Sequence, residues 1–372
     1  MILADFGSMP VYMGCVMSES HEDKFHRMQW GINSDGLLAI VAPPPLDLVY
    51  LDQHSEPSAS GLWMQHHDAF ANFLLDGLRE DRILEIGGGS GLLAEITLEK
   101  SGEKLEWTIL EPFLPENRPL GIAWIKGWFP GDIPEKTGSV LVATHVLEHA
   151  TNPRAFIEDC AKYLDYGDTL AISWPNMRQM AQRGDLNMLN FEHLHFLPQD
   201  VVESMLTEAG FEVQEVVDFM GHSIFLKAQK KERPGEHQGG PSEAQSAELE
   251  SLVHDYTDSL DRLVASMNEL IDGWEGEIWL FGAHIFSQYL IARGLNVGRI
   301  TGLLDNAIHK QGQRLYGTEL AVHSPETLRG KQRQLLLVAA ALYEAEILGQ
   351  LRELNMAGSK VYMSGSGVHE LD

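Results

Sequence analysis

The five residues Gly87-Gly88-Gly89-Ser90-Gly91 restrict what this chain can become more than any other feature of it. They follow the apolar β-type run Arg82–Ile86, and a helical pattern starts at Leu92. A strand that runs into such a turn lets backbone approach a ligand closely and aims the amides of a helix N-terminus at it. A dinucleotide fingerprint requires a further glycine three positions after Gly89, where this chain has Leu92. The spacing is therefore G-x-G-x-G, which demotes a nicotinamide oxidoreductase.

Between residues 80 and 228, short β-type runs alternate with helical ones. The runs are Arg82–Ile86, Trp107–Leu110, Ala123–Ile125, Val140–Ala143 and Thr169–Ser173, then the adjacent pair Phe211–Val217 and Ser223–Ala228. Alternation of this kind predicts an α/β fold with a doubly wound, mostly parallel sheet, and the final pair predicts an antiparallel hairpin at one edge. Residues 1–65 mix short apolar runs with Gly, Pro, Ser and His and read as a small, irregular N-terminal lobe. The central domain is expected over 66–228, led by a helix beginning near Trp63, and the polar, Gly/Pro-containing stretch 229–246 reads as a linker. Over 247–372, apolar residues from Leu249 to Ile271 keep a helical rhythm, predicting a long amphipathic helix. A second strand–helix pattern follows, with strands at Ile278–Phe281, Arg299–Leu304 and Gln334–Ala339, as in a Rossmann-like half-domain. The long helix is expected to pack on its own chain or, alternatively, to form a dimer face, so the protein is a monomer or a homodimer.

Charge narrows the partners. With 27 basic and 54 acidic side chains, a formal net charge of −27 repels phosphate backbones and anionic lipid over most of the surface. Neither nucleic acid nor a membrane is expected as partner, although a few placed donors can still bind a nucleotide diphosphate. Cys15 and Cys160 are the two cysteines, too few for a disulfide framework, and a reducing, cytoplasmic setting is expected. The first residues lack the basic start and apolar run of a secretion signal, and the apolar stretch Leu335–Tyr343 is too short to span a bilayer.

Two carboxylates sharpen the choice of ligand. Glu85, two positions before the first glycine, is expected at the carboxyl end of its strand, facing a crevice in which it can meet the ammonium group of an amino-acid ligand. Glu111, followed by Pro112, closes the next strand, where an acceptor for two ribose hydroxyls is expected. With these residues in place the chain resembles the class I S-adenosylmethionine-dependent methyltransferases, whose first motif is an acidic residue, an apolar residue and then G-x-G-x-G. The resemblance continues in Val142-Ala143-Thr144-His145-Val146-Leu147-Glu148-His149 and in Asn152-Pro153-Arg154-Ala155-Phe156, and covers about residues 65–228. It implies S-adenosylmethionine as cofactor. Gly87, Gly88, Gly89 and Gly91 would line its methionine and ribose portion, Glu111 would take the ribose, and His145 would lie beside the sulfonium end. Trp128 and Phe129 occupy the place where the family holds adenine.

The flanking segments resemble a narrower group. Phe6-Gly7-Ser8-Met9-Pro10-Val11, Phe281-Gly282-Ala283-His284, Leu304-Asp305-Asn306, Lys310-Gln311-Gly312 and Gly317-Thr318-Glu319-Leu320 look like the three-part sugar C-methyltransferases, which act on nucleotide-linked deoxy-keto-sugars. Members of that group hold zinc with four cysteines in the N-terminal lobe, whereas this lobe has Cys15 alone. His21, His26, His54, His66 and His67 lack paired spacing with a second thiolate, so no metal is expected. The departure also weakens the transfer of the group's substrate to this chain.

Phe191-Glu192-His193-Leu194-His195-Phe196 lies beyond the fifth strand, where the resemblance puts a Glu-His base pair. An α-carbon beside a ketone is a weak acid, and a base with a pKa near neutrality must take its proton before the carbon can attack a methyl group. His193 is the candidate base, with Glu192 orienting it. The same imidazole can deprotonate a hydroxyl, so O- or N-methylation of another small molecule is the alternative, and a non-catalytic cofactor-binding scaffold is the alternative of another class. Tyr50, His54 and Trp63-Met64-Gln65-His66-His67 are further substrate-side candidates, for each of which a solvated or core role is the plainer reading.

Overall fold

The central strand of a parallel sheet is covered on both faces and must be apolar on both, which is how Arg82–Ile86 (β1) reads: four of its five residues are buried. In the computed structural model, which describes residues 1–49, 61–102, 104–133, 136, 138–185, 188–232 and 243–371, β1 is followed by four further parallel-sheet strands. They are Glu106–Glu111 (β2), Ile122–Lys126 (β3), Val140–Thr144 (β4) and Thr169–Pro175 (β5). Phe211–Phe219 (β6) and Ser223–Lys230 (β7) complete a seven-stranded sheet in the order β6-β7-β5-β4-β1-β2-β3. All neighbours from β5 to β3 are parallel; β7 runs antiparallel to both β5 and β6. The doubly wound sheet with an antiparallel edge is thus the observed architecture. Chain order reverses between β1 and β4, and ligands of such sheets bind outside the carboxyl ends of the strands at that reversal.

Helices Gly61–Leu75 (α1), Leu92–Ser101 (α2), Pro153–Tyr163 (α3) and Gln199–Glu208 (α4) belong to this part of the chain. Phe70, Phe73 and Leu74 of α1 join Ile83, Trp107, Val142 and Phe225 of the sheet in one buried cluster. Asn152 caps α3, its side chain accepting from Ala155 N at 3.0 Å, and Pro153 fills the first helical position, where its missing N–H costs nothing. No helix among the described residues is long and apolar enough to cross a membrane.

The chain divides into two compact units, Asp52–Met180 with Glu192–Gly240, and Met1–Leu51 with Ala181–Phe191 and Pro241–Asp372. The second unit holds a six-stranded sheet whose order is Val322–His323, Gly302–Leu304, Ile278–Phe281, Leu335–Val338, Ser359–Met363 and Gly367–Leu371, parallel except for the last pair. The amphipathic helix runs from Glu243 to Gly273 and buries Val253, Tyr256, Leu260, Val264, Met267 and Ile271. The stretch 233–242 of the expected linker lies outside the described residues, as do Tyr50 and His54.

The N-terminal residues are more regular than their sequence suggests. Ile2–Pro10, Phe25–Ile32 and Leu38–Ile40 form an antiparallel meander, and register shifts between Ile2 and Ala4 and between Asp5 and Ser8 break the alternation by which a strand is recognised. Trp30 of the meander meets Tyr256 of the long helix at a centroid distance of 5.1 Å, so residues 1–51 and the long helix share a core. The side chain of Asp23 is almost fully buried and accepts from both terminal nitrogens of Arg314, at 2.7 and 2.8 Å, and from Gly317 N at 2.7 Å. At the reduced glycine turn after Ile278–Phe281, Ala283 N donates to Asp305 Oδ2 at 2.9 Å, so that amide is already satisfied by the chain itself.

Candidate active site

The glycine turn is required by its own surroundings. Gly87 sits at φ +68° and a Cβ there would come within 2.8 Å of Val146 Cγ2; Gly91 sits at φ +85° with Trp124 Cζ2 at 2.9 Å. Side chains at either position would push the turn off the sheet. Beside the turn lies a shallow, open depression lined by Met64, Ser90, Leu92, Glu95, Asn117 and Arg118.

Glu111, the last residue of β2, is held toward the turn from two sides. Its Oε2 accepts from Gly89 N at 3.1 Å and its Oε1 from Phe113 N at 3.0 Å, across Pro112. A carboxylate has about four lone-pair directions, so each oxygen fixed in this way can still accept from one hydroxyl of a vicinal diol. This acceptor chemistry fits the ribose of S-adenosylmethionine. Glu85 takes a different position from the crevice-facing one expected for it: it is 1% exposed and its Oε2 accepts from Trp107 Nε1 at 2.9 Å, beneath Gly88. Of the two aromatic candidates, Trp128 is exposed and packs edge-on to Phe113, while Phe129 turns inward against Phe156 at 5.2 Å.

Where β4 ends, His145 adopts φ +51°, a left-handed conformation uncommon outside glycine, with its N–H donating to Ser173 O at 2.8 Å. Its Nδ1 lies 2.9 Å from Glu148 Oε1 and its Nε2 2.9 Å from Ser223 Oγ, and that hydroxyl lies 2.6 Å from His222 Nδ1. Both ring nitrogens are therefore engaged by the protein, and what remains to face a cofactor is the ring itself or the main chain. Burial holds the His145 imidazole well below its ordinary pKa, with His222, His193 and His67 adding to the effect, and burial raises the Glu148 carboxyl. Both shifts have desolvation as their largest cause.

Trp63 and His66 of α1 pack against His145, with centroids at 4.8 and 5.0 Å. His66 is fully buried, neither ring nitrogen has a hydrogen-bond partner, and its pKa is depressed chiefly by desolvation; it is a core residue. Burial brings His67 down to about 4. These imidazoles make stability pH-dependent with a definite sign. Above pH 6.5 they are neutral in both folded and unfolded chains and contribute nothing. As pH falls below 6.5 the unfolded chain binds protons that the folded chain refuses, at roughly 1.4 kcal/mol per pH unit for each imidazole. Denaturant titrations are expected to show stability falling steadily between pH 6.5 and 4, and His66→Phe should flatten the slope. A flat profile over that interval would contradict the burial of these rings.

The stretch bearing Glu192 and His193 has no regular structure, and burial pins it. Leu194, Phe196 and Leu197 are each at most 3% exposed. Trp174 Nε1 donates to Leu197 O at 2.8 Å, Leu194 N donates to Glu148 O at 3.3 Å, and His149 Nδ1 lies 3.1 Å from Glu192 O. These links put His193 against His149, with ring centroids 5.1 Å apart. His195 faces elsewhere, with Nε2 3.1 Å from Thr151 O. Sequence reasoning did not single out Glu148, His149, His222 or Ser223. The first two were visible as part of a family-like run without a role. His222 and Ser223 follow from the hairpin: Ser223 pairs with Pro175, at the carboxyl end of β5.

Comparison with known families bears directly on this geometry. Residues 62–216 match a family model described as a methyltransferase domain, and residues 242–364 match one described as a C-methyltransferase C-terminal domain. The chain is a methyltransferase. The first match covers the glycine turn, Glu111 and the His193 stretch, and the second covers the long helix and most of the sheet after it. S-adenosylmethionine is the cofactor that the glycine turn and Glu111 are expected to hold.

No curated protein sequence matches the methyltransferase. Among solved structures, the human N-acetylserotonin methyltransferase in complex with S-adenosylmethionine is 17% identical over 45% of this chain and 55% of its own, with a TM-score of 0.36, so the match spans little more than half of that enzyme. The N-methyltransferase NodS from Bradyrhizobium japonicum WM9, in complex with S-adenosylhomocysteine, is 16% identical over 49% of this chain and 93% of its own, with a TM-score of 0.38. An S-adenosylmethionine-dependent methyltransferase from Mesorhizobium loti is 12% identical over 46% and 99%, with a TM-score of 0.36. At these scores the structures do not bear on the assignment, which rests on the family models and the site.

Proposed function

We propose that the enzyme methylates carbon next to a carbonyl, in a nucleotide-linked deoxy-keto-sugar or a related small molecule, with His193 as the base. The match of residues 242–364 to a C-methyltransferase C-terminal domain carries this reading. The resemblance of the flanking segments to the sugar C-methyltransferases supplies the substrate class.

In this reading Glu111 and the Gly87–Gly91 turn hold the cofactor, which when bound supplies an electrophilic methyl group on a cationic sulfur and leaves as the thioether. His193 takes the proton from the acceptor's α-carbon, and the electron pair left behind forms the new bond to the methyl carbon. Glu192, adjacent in the chain, charge-balances the imidazolium. Leu194 and Phe196, buried on the carboxyl side of His193, limit the ring's freedom and hold it at working distance, where proximity contributes most.

The test is a screen of nucleotide-linked keto-sugars for a mass gain of one CH₂, run alongside proton exchange in heavy water. Carbon methylation requires that the acceptor exchange its α-hydrogen on the enzyme without turnover of S-adenosylmethionine. Methylation without such exchange would point to a hydroxyl or amine acceptor, and no methylation of any member would overturn the substrate class.

A further inference from the structure

The geometry points to a divalent-cation site formed by Glu148, His149 and His193. One ligand atom from each of the three lies within 4.8 Å of the others, close to the roughly 4.2 Å that two ligands of one zinc ion can span at most. The set of two imidazoles and one carboxylate suits zinc and the later first-row transition metals, and three protein ligands leave coordination positions open for a substrate oxygen or water.

Three independent observations favour a ligand here over mere packing. Glu148 is fully buried, and while its Oε1 is taken by His145 Nδ1, its Oε2 has no hydrogen-bond partner. A buried carboxyl oxygen left unsatisfied is costly, and an ion would satisfy it. His149 Nδ1 lies 3.1 Å from Glu192 O, an acceptor, so that nitrogen carries the proton and Nε2 is the basic nitrogen of the ring. This is the arrangement in which a ligating imidazole is oriented by a carbonyl behind it. His145 in turn orients the Glu148 carboxylate, and the Leu194 N–H to Glu148 O bond fixes the spacing between the stretch that brings His193 and the other two ligands. The expectation of no metal came from the N-terminal lobe, whose cysteines are too few; the three residues named here are far from it in sequence and use a different donor set.

The inference shares His193 with the proposed base but does not depend on the substrate. At that imidazole the two roles exclude each other, because a nitrogen bonded to an ion cannot accept a proton. The experiment uses the full-length enzyme freed of metal by chelation and titrated with zinc, with cobalt as a spectroscopic substitute. One tight zinc per chain is expected, and visible cobalt bands of a low-coordinate site. Glu148→Gln, which keeps shape and the bond to His145, should weaken zinc by more than the roughly 10- to 100-fold that follows loss of an outer-shell partner. His149→Gln should do the same at a less buried position, with thermal unfolding and S-adenosylmethionine affinity reporting that each variant is folded. Zinc affinity and stoichiometry unchanged in both folded variants, or no tight zinc in the parent, would overturn the site. Methyl transfer should fall as zinc fills the site. If transfer rises instead, the cation site stands and the base role of His193 is lost.

Discussion

Methyl transfer by the His193→Ala enzyme should fall by about 10²- to 10⁴-fold, the range that a positioned general base contributes, while affinity for S-adenosylmethionine is unchanged. The separation follows from where the two functions sit. The proposed cofactor contacts are the glycine turn and Glu111 at the ends of β1 and β2, whereas His193 is held at the Glu148–His149 turn beyond β4. Single-turnover transfer of a labelled methyl, with calorimetric titration of the cofactor in parallel, reads both quantities. Undiminished transfer would remove His193 from the mechanism.

The second large effect is expected at Glu111. Its replacement by alanine removes the two acceptors proposed for the ribose diol, and hydrogen bonds to a charged group are each worth about 1.5–3 kcal/mol. Cofactor affinity should therefore drop by roughly two orders of magnitude or more, with transfer at subsaturating cofactor dropping in step. Glu111→Gln should fall between the two, because one of its terminal atoms donates where the carboxylate accepted. The Gly89 and Phe113 amides would then compete for the single remaining oxygen. Equal cofactor affinity in Glu111→Ala and the wild type would show that the ribose is held elsewhere.

What the sequence discloses about this enzyme is mostly local. The turn after β1 is written in consecutive glycines, and strands such as Arg82–Ile86 and Val140–Thr144 lie close to where apolar runs predict them, because a strand buried on both faces leaves an unbroken apolar signal. The N-terminal meander is less legible because its bulges shift the register and hide the period of two. At the site, the place of Glu111 at a strand end is legible in the sequence, but the company kept by His145 is not. Its partner Ser223 is 78 residues away and comes close only because β7 pairs antiparallel with β5. His193 and Glu148 are likewise joined by a stretch whose course is set by buried Leu194 and Phe196, a tertiary effect without a periodic trace. At Glu85 the sequence shows the motif but not the indole on the neighbouring strand that holds the carboxylate inward.

The bond from Leu194 N to Glu148 O is made entirely by main chain, and it neighbours a side chain that it does not use. The mount and the reagent are thus separable. A lineage carrying this scaffold can exchange the residue at position 193 by a single codon change and sample other acids, bases or ligands at the same point in space, without rebuilding the support that holds it there.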